Sequence, residues 1–230
     1  GWFIDSELTT EFTEFVIQSE DITLYAKWIP NDITVIFVKT EGDTIEVTVK
    51  YNEKVERPSA PERPGYDFVA WKVENSEGNL VDFDFNLPIF GPVTLQAEWA
   101  PKTYTIEFES NGGDLVDNIT KPYLHDVDLP SIERTGYLFT GWYVDQDLET
   151  KVNLKYKMPL DGITLYAGWE AQEFEISFFE SEIAPIRQEY LSDLVAPQDP
   201  EKLGYEFLGW YEDSAYQKPF EFPEKMPAKN

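Results

Sequence analysis

Three segments of the chain alternate apolar and other residues strictly over seven positions, and each ends in tryptophan. They are residues 22–28, 93–99 and 163–169. One face carries Ile or Val, then Leu, Ala and Trp, and the other carries Thr, Tyr or Gln, and a charged residue or Gly. Because successive side chains of a strand point to opposite faces, this alternation predicts three half-buried strands. We call them the closing strands.

A second recurring pattern places two aromatic residues two positions apart, followed by a small residue and tryptophan. It reads Gly-Tyr-x-Phe-x-Gly/Ala-Trp at residues 65–71, 136–142 and 204–210, and residues 1–3 are the tail of a further copy. In a regular strand a tryptophan three residues after Phe would lie on the opposite face. A bulge at the small residue would return it to the same face. We therefore predict a bulged strand, the Gly-Trp strand, in each copy.

The parts that precede each Gly-Trp strand also keep a fixed order. An opening strand comes first, then a second strand, clearest at 44–51, and then an extended stretch with proline. A turn with glycine at positive φ is predicted at 111–113, and one short helical turn capped by Ser192 at 192–194. The opening strands are residues 33–37, 104–108 and 174–178, and the prolines are Pro58, Pro61, Pro130, Pro197 and Pro200.

All seven tryptophans fall at one of two positions in a repeat of about seventy residues. Such a fixed spacing indicates a tandem array of small modules. We divide the chain into a partial repeat at 1–29, repeat 1 at 30–100, repeat 2 at 101–170 and repeat 3 at 171–230, which lacks its closing strand. The two tryptophan positions are occupied by Trp2, Trp71, Trp142 and Trp210, and by Trp28, Trp99 and Trp169.

The connections between the repeats are short. Residues 29–32, 100–103 and 170–173 contain no Gly/Ser tract, and two of these segments contain proline, which stiffens a connection. The sequence therefore favours a semi-rigid rod of modules. Freely hinged modules are the alternative.

Composition narrows the classes of partner. The 230 residues carry a net charge of −26, which argues against binding to nucleic acid or to an anionic membrane surface. There is no cysteine, which excludes disulfides and thiol chemistry, and no apolar run approaches the length of a membrane-spanning helix. Aromatic residues make up 16% of the chain, and their large buried areas offset the small size of each module.

The combined pattern resembles the Listeria–Bacteroides repeat family, which includes the B repeat of internalin-type surface proteins. The resemblance rests on residues 104–108, 111–113, 136–143 and 163–169. It implies a β-rich α+β fold, a tandem array of small β-grasp-like modules. It also implies a secreted or cell-wall-attached bacterial protein in which the repeats serve as spacer, stalk or adhesion module, with no catalysis and no cofactor. Repeat 1 departs from the pattern at Ala70, Lys72 and the missing Asn-Gly-Gly turn.

Few side chains qualify for catalysis or metal binding. His125 is the only histidine and has no counterpart in the other repeats, so we expect it at the surface and assign no catalytic or metal-binding residues. The acidic pairs Asp82 with Asp84 and Asp145 with Asp147 could offer oxygen ligands to calcium. Neither pair has the glycine and closing glutamate of a calcium loop, and the solvated loop is the favoured interpretation.

Four tyrosines could stack on sugars. Tyr25 and Tyr166 lie on the polar face of the closing strands, and Tyr143 and Tyr211 follow the tryptophans of the Gly-Trp strands. Packing between modules explains them equally well, so the ligand-binding residues stay unassigned.

The sequence thus favours a non-catalytic stalk or spacer of a bacterial cell-surface or secreted protein. The alternative is a ligand-binding module for a host protein or glycan, and an enzyme is a distant third. The stalk hypothesis predicts buried tryptophans in every repeat. A further hypothesis is head-to-tail self-association, in which repeat 3 borrows a closing strand from another copy. Its alternative is a fragment boundary set by cloning or proteolysis.

Overall fold

The computed structural model describes residues 1–13, 21–153 and 155–228. The chain divides into two compact units, Gly1–Pro101 and Lys102–Asn230. The first unit holds β1 (Trp2–Phe3), β2 (Tyr25–Ala26), β3 (Asp32–Thr40), β4 (Asp43–Lys50), β5 (Tyr66–Glu74), β6 (Leu80–Asp82) and β7 (Val93–Pro101). The second holds β8 (Thr103–Glu109), β9 (Ile119–Pro122), β10 (Asp126–Val127), β11 (Tyr137–Tyr143), β12 (Tyr156–Lys157), β13 (Ile163–Ala171), β14 (Glu173–Ile176), β15 (Ile186–Glu189), β16 (Trp210–Tyr211) and β17 (Pro219–Phe220).

In each complete repeat the closing strand lies in the middle of the sheet. Repeat 1 forms a five-stranded sheet of order β4-β3-β7-β5-β6, in which β7 runs parallel to β3 and antiparallel to β5. Repeat 2 forms a four-stranded sheet of order β11-β13-β8-β9 with the same directions around β13. The closing strand therefore joins the opening strand to the Gly-Trp strand in both.

Each complete repeat has its own apolar core. In repeat 1, Phe37, Trp71 and Leu95 come together from β3, β5 and β7 and are almost fully buried. In repeat 2, Ile106, Trp142 and Leu165 do the same from β8, β11 and β13. The alternation predicted for the closing strands is confirmed here, because Leu95 and Leu165 are fully buried.

The predicted bulge in the Gly-Trp strand is confirmed in both complete repeats. The register of β5 against β7 shifts between Phe68 and Ala70, and that of β11 against β13 shifts between Phe139 and Gly141. The extra residue returns tryptophan to the face of phenylalanine, and the rings of Phe68 and Trp71 lie 5.4 Å apart. Gly141 has φ of 130°, a conformation that favours glycine.

The predicted turn at 111–113 is also present. Asn111 and Gly112 both have positive φ, and the Gly113 N–H donates to the Ser110 carbonyl. The helical turn predicted at 192–194 is wrong. Residues 191–192 form a turn and a bend, and the Ser192 hydroxyl donates to the Glu189 carbonyl instead of capping a helix.

The β-rich class is confirmed, whereas the helical part of the α+β prediction finds no support in residues 1–13, 21–153 and 155–228, which contain only strands, turns and coil. The proline-bearing stretches form no helix, because proline and the residue before it disfavour the helical region. Accordingly, no helix in this part of the chain is long and apolar enough to cross a membrane.

The tryptophans are not buried in every repeat, so that prediction is corrected. Trp71 and Trp142 are 1% and 3% exposed, but Trp2 and Trp28 are 51% and 88% exposed. The physical reason is the opening strand. It supplies Phe37 and Phe108 against the first tryptophan of repeats 1 and 2, whereas the described residues 1–13 and 21–29 form only the two-residue strands β1 and β2.

Candidate functional site

The junction between repeats 2 and 3 lies inside the second unit and is held by one residue. Gln172 separates β13 from β14, and its N–H donates to the Gly136 carbonyl of repeat 2 at 2.9 Å. Its own carbonyl accepts from the Tyr190 N–H of repeat 3 at 2.8 Å. Both backbone groups of the residue at the junction are therefore fixed, each to a different repeat.

Aromatic packing reinforces this junction. The rings of Tyr137 and Tyr190 meet edge to face with centroids 5.5 Å apart. Gly136 has φ of 79°, and a Cβ on it would lie only 2.2 Å from the Tyr190 ring. Glycine is thus required twice, for the backbone conformation and for the approach of the ring.

The second tryptophan of each complete repeat ties the closing strand to the opening strand. The indole N–H of Trp99 donates to the Lys39 carbonyl, and that of Trp169 donates to the Ser110 carbonyl, both at 2.9 Å. The Trp169 ring also lies over Gly113, where a Cβ would approach it to 2.3 Å. These rings are half-buried structural contacts, and their N–H groups are used within the repeat.

An acidic residue three positions after the first tryptophan organises the following loop. In repeat 2 the Asp145 carboxylate accepts the backbone N–H groups of Glu149 and Thr150, each at 2.8 Å. The hydrogen bond from Glu149, with that from Thr150, lowers the pKa of the Asp145 carboxyl below its ordinary value. Asp5 and Asp213 occupy the same repeat position and accept N–H groups from the same part of their loops.

The hydrogen bonds of these carboxylates argue against the two acidic pairs that were considered for calcium. Both oxygens of Asp145 already accept backbone N–H groups, and the Asp84 carboxylate accepts the N–H of Asn86. Across the described residues, no group of three or more His, Cys, Asp or Glu side chains is placed to hold a metal ion. His125 is exposed, as expected from the sequence.

On the outer face of the sheet, the residue after the first tryptophan lies diagonally across from the residue before the second. In the partial repeat these are Phe3 and Lys27, and the ammonium lies 5.0 Å from the ring centroid. In repeat 1 they are Lys72 and Glu98, which form an ion pair at 3.1 Å. The two positions are thus chemically matched in both copies.

In repeat 2 the side chains at the same two positions are complementary in size. Tyr143 follows the first tryptophan, and Gly168 precedes the second. A Cβ on Gly168 would lie 2.4 Å from the Tyr143 ring, so the glycine makes room for it. The Tyr166 hydroxyl accepts from the Gln146 side chain at 3.3 Å. Of the tyrosines considered for sugar stacking, Tyr143, Tyr166 and Tyr211 are half-buried, and Tyr25 is exposed.

Repeats 1, 2 and 3 have a basic residue three positions before the tyrosine of the Gly-Trp segment, and its contact with the tyrosine ring was not predicted from the sequence. The guanidinium of Arg134 lies 3.9 Å from the Tyr137 ring centroid, and that of Arg63 lies 4.0 Å from the Tyr66 ring centroid. Lys202 takes the same place over Tyr205 in repeat 3 at 4.9 Å. The fixed spacing between the basic residue and the tyrosine recurs in three copies, so the sequence already contained a pattern that could have predicted the contact.

Repeat 3 has a groove beside its opening strand. The groove has a volume of about 440 Å³ and lies between the opening strand and the Gly-Trp segment. Residues 205–209, which match β11, form no strand. Its lining includes Ile176, Ser177, Phe178, Trp210 and Tyr211.

These features define a β-rich repeat protein, and comparison with known proteins identifies the family. The sequence profile of the Listeria-Bacteroides repeat domain matches residues 1–27, 34–98, 104–168 and 180–230. The chain therefore belongs to the Listeria-Bacteroides repeat family.

Three similar proteins are named as putative membrane proteins or as an internalin. The chain is 33% identical over 214 residues to a putative membrane protein of Evansella cellulosilytica, covering 91% of the chain and 32% of that protein. It is 33% identical over 223 residues to a putative Gly-rich membrane protein of the same organism, covering 92% of the chain and 26% of that protein. It is 30% identical over 183 residues to Internalin H of Listeria monocytogenes, covering 73% of the chain and 33% of that protein. The chain thus spans a third or less of the length of these relatives.

Proposed function

We propose that the chain is a non-catalytic repeat region of a bacterial cell-surface or secreted protein. In this role it acts as a semi-rigid stalk or spacer that holds another part of the protein away from its anchor. The modules are the segments 30–100, 101–170 and 171–230, with the partial repeat at 1–29. The mixed sheet of each complete repeat is β-grasp-like. The names of the relatives support a place at the cell surface.

The observation that carries the stalk proposal is the backbone of Gln172. A hinge needs at least one residue whose backbone is free to rotate, and the N–H and carbonyl of Gln172 are bonded to Gly136 and Tyr190 on opposite sides. Bending at this residue would break a hydrogen bond and separate Tyr137 from Tyr190. The net charge of −26 adds mutual repulsion between the modules and favours solubility.

The alternative function, a ligand-binding module for a host protein or glycan, would be supported by an aromatic patch repeated in each module. The outer face does not repeat in this way, because repeat 1 has Lys72 and Gln96 where repeat 2 has Tyr143 and Tyr166. We therefore place adhesion second, as a property of a single repeat or of a part carried by the stalk.

Distance measurements between spin labels test the stiffness of the junction. The chain has no cysteine, so Asp147→Cys in repeat 2 and Glu189→Cys in repeat 3 give two unique, exposed label sites. We expect a narrow distance distribution in the labelled protein and in Gln172→Ala, which keeps both backbone hydrogen bonds. Gln172→Pro removes the N–H that Gly136 accepts and should broaden the distribution. A broad distribution already present before the proline substitution would refute the stalk proposal.

A further inference from the structure

The turn after the opening strand of repeat 2 contains the only Asn-Gly pair of the chain, Asn111 and Gly112. The side-chain amide of Asn111 donates to the Ala167 carbonyl on the closing strand β13 at 2.8 Å. The parallel ladder between β8 and β13 ends one residue before Ala167, where Tyr166 pairs with Glu109. The Asn111 amide therefore extends this ladder with a side-chain N–H in place of a backbone N–H.

An asparagine followed by glycine is the pair in which a side-chain amide loses ammonia most readily. The backbone nitrogen of the glycine attacks the amide carbon and gives up its proton, and the amide nitrogen leaves as ammonia, which closes a five-membered succinimide ring. Glycine permits this attack because it has no side chain to hinder the approach. Water then opens the ring at either carbonyl and gives aspartate or isoaspartate, so the reaction requires only water.

In the folded repeat the two reacting groups are held differently. The described residues give the Gly112 N–H no hydrogen-bond acceptor, whereas the Asn111 amide is bonded to β13. Ring closure brings the amide carbon to covalent distance from the Gly112 nitrogen, which pulls the amide away from Ala167. The indole N–H of Trp169 holds the preceding residue as well, through the Ser110 carbonyl at 2.9 Å. The docked closing strand therefore restrains the reaction.

The products do not fit the folded turn. Aspartate at position 111 has only acceptor oxygens, and these would face the Ala167 carbonyl to which the amide donated. Isoaspartate adds a carbon to the main chain of a tightly packed turn, where a Cβ on Gly113 would already lie 2.3 Å from the Trp169 ring. Either product therefore weakens the attachment of the end of β13.

We propose that Asn111 is a deamidation site, whose reaction is restrained while the closing strand is docked and whose product weakens the docking. Repeat 1 has no such site. Lys39 accepts the indole N–H of the second tryptophan there, as Ser110 does in repeat 2, so Thr40 takes the place of Asn111. Threonine has no amide to lose. Each opening of the end of β13 thus exposes repeat 2 to an irreversible change that this position of repeat 1 does not undergo.

Peptide mapping by mass spectrometry, after incubation at mildly alkaline pH, tests the site. Asn118 is the internal control, because it lies in the same loop and is exposed, but the β-branched Ile119 follows it and hinders the attack. In guanidinium chloride, Asn111 should convert at least several-fold faster than Asn118. In the folded chain, conversion at Asn111 should be at least several-fold slower than in the unfolded chain. Equal rates in either comparison overturn the proposal.

Trp169→Phe tests whether the closing strand supplies the restraint. The substitution removes the hydrogen bond to Ser110 but touches neither reacting residue, so conversion at Asn111 should become several-fold faster in the folded chain and stay unchanged in the unfolded chain. Trp99→Phe is the matched control, because it removes the corresponding hydrogen bond to Lys39 in repeat 1. A rate in Trp169→Phe no higher than in the original chain, or an equal rise in Trp99→Phe, overturns the assigned restraint.

Urea unfolding tests the effect of the product. Asn111→Asp reproduces one product directly and should lower the unfolding midpoint, because the donor to Ala167 becomes an acceptor. Asn118→Asp adds the same charge to the same loop without removing a hydrogen bond of the described residues, and should leave the midpoint nearly unchanged. Equal shifts in the two variants overturn the effect on docking. None of these outcomes depends on the stiffness at Gln172, so this inference and the stalk proposal fail separately.

Discussion

The ring of Tyr190 occupies the space that a side chain on Gly136 would need, with a Cβ placed 2.2 Å from it. In Gly136→Ala the new residue would therefore be strained by its positive φ, and its Cβ would clash with the Tyr190 ring that packs on Tyr137. We expect a loss of about 2–4 kcal/mol in the free energy of unfolding, from backbone strain together with overpacking. Urea unfolding of the whole chain measures it.

Gly204→Ala is the matched control for this substitution. Gly204 has φ of 82° and occupies the same repeat position, but a Cβ on it would meet nothing within 4 Å. Its cost should be the backbone strain alone, about 1–2 kcal/mol. Equal costs for the two substitutions would show that Tyr190 contributes nothing at the junction.

The indole N–H of Trp169 closes repeat 2 through the Ser110 carbonyl. Trp169→Phe keeps an aromatic ring but removes this hydrogen bond, and we expect a loss of about 1–3 kcal/mol, with thermal and urea unfolding as the measurement. Trp28→Phe replaces the same repeat position where the side chain is exposed, and its effect should stay within about 0.5 kcal/mol. A comparable loss for Trp28 would contradict the role assigned to the N–H.

The matched pair on the outer face of repeat 1 can be exchanged for that of repeat 2. Lys72→Tyr and Glu98→Gly together recreate the pairing of Tyr143 with Gly168. A double-mutant cycle should give a favourable coupling of at least about 0.5 kcal/mol, because Lys72→Tyr alone leaves the new ring beside the Glu98 side chain, whereas Glu98→Gly alone leaves Lys72 paired with Asp82. Additive effects in urea unfolding would mean that the two positions are independent.

Asp145 predicts a dependence of stability on pH. Its folded pKa is lowered by the N–H groups of Glu149 and Thr150, so its contribution is present above the unfolded pKa, about 3.9, and is lost as pH falls through the folded value. Asp145→Asn should therefore flatten the decline in unfolding midpoint as the pH falls below about 4. The chain carries other acidic groups, so the comparison is the difference between the two proteins. An Asp145 pKa at or above the ordinary value, measured by NMR, would contradict the loop assignment.

The sequence predicted the features that depend on spacing along one strand. The alternation of β13 and the bulge at Gly141 follow from which residues share a face, and the turn at Asn111 follows from positive φ. The helical turn at Ser192 was predicted wrongly because the prediction used only the preference of serine for helix N-caps, without the pattern of an amphipathic helix after it.

The sequence did not predict contacts between distant residues or contacts made by backbone atoms. Gly136 and Tyr190 are far apart in the chain, and the role of Gln172 uses no side-chain atom. Asp145 was considered for calcium because carboxylates offer oxygen ligands, although its fixed position three residues after tryptophan already indicated a structural task. The exposure of Trp28 shows that the alternating pattern of a strand does not by itself secure burial.

The position of the closing strand in the middle of the sheet has a consequence for biogenesis. β7 and β13 are the last strands of their repeats along the chain, yet each holds the two halves of its sheet together. A nascent repeat therefore stays open until its final residues are synthesised. Folding of the array therefore advances in steps of one repeat, each completed by the arrival of its last tryptophan.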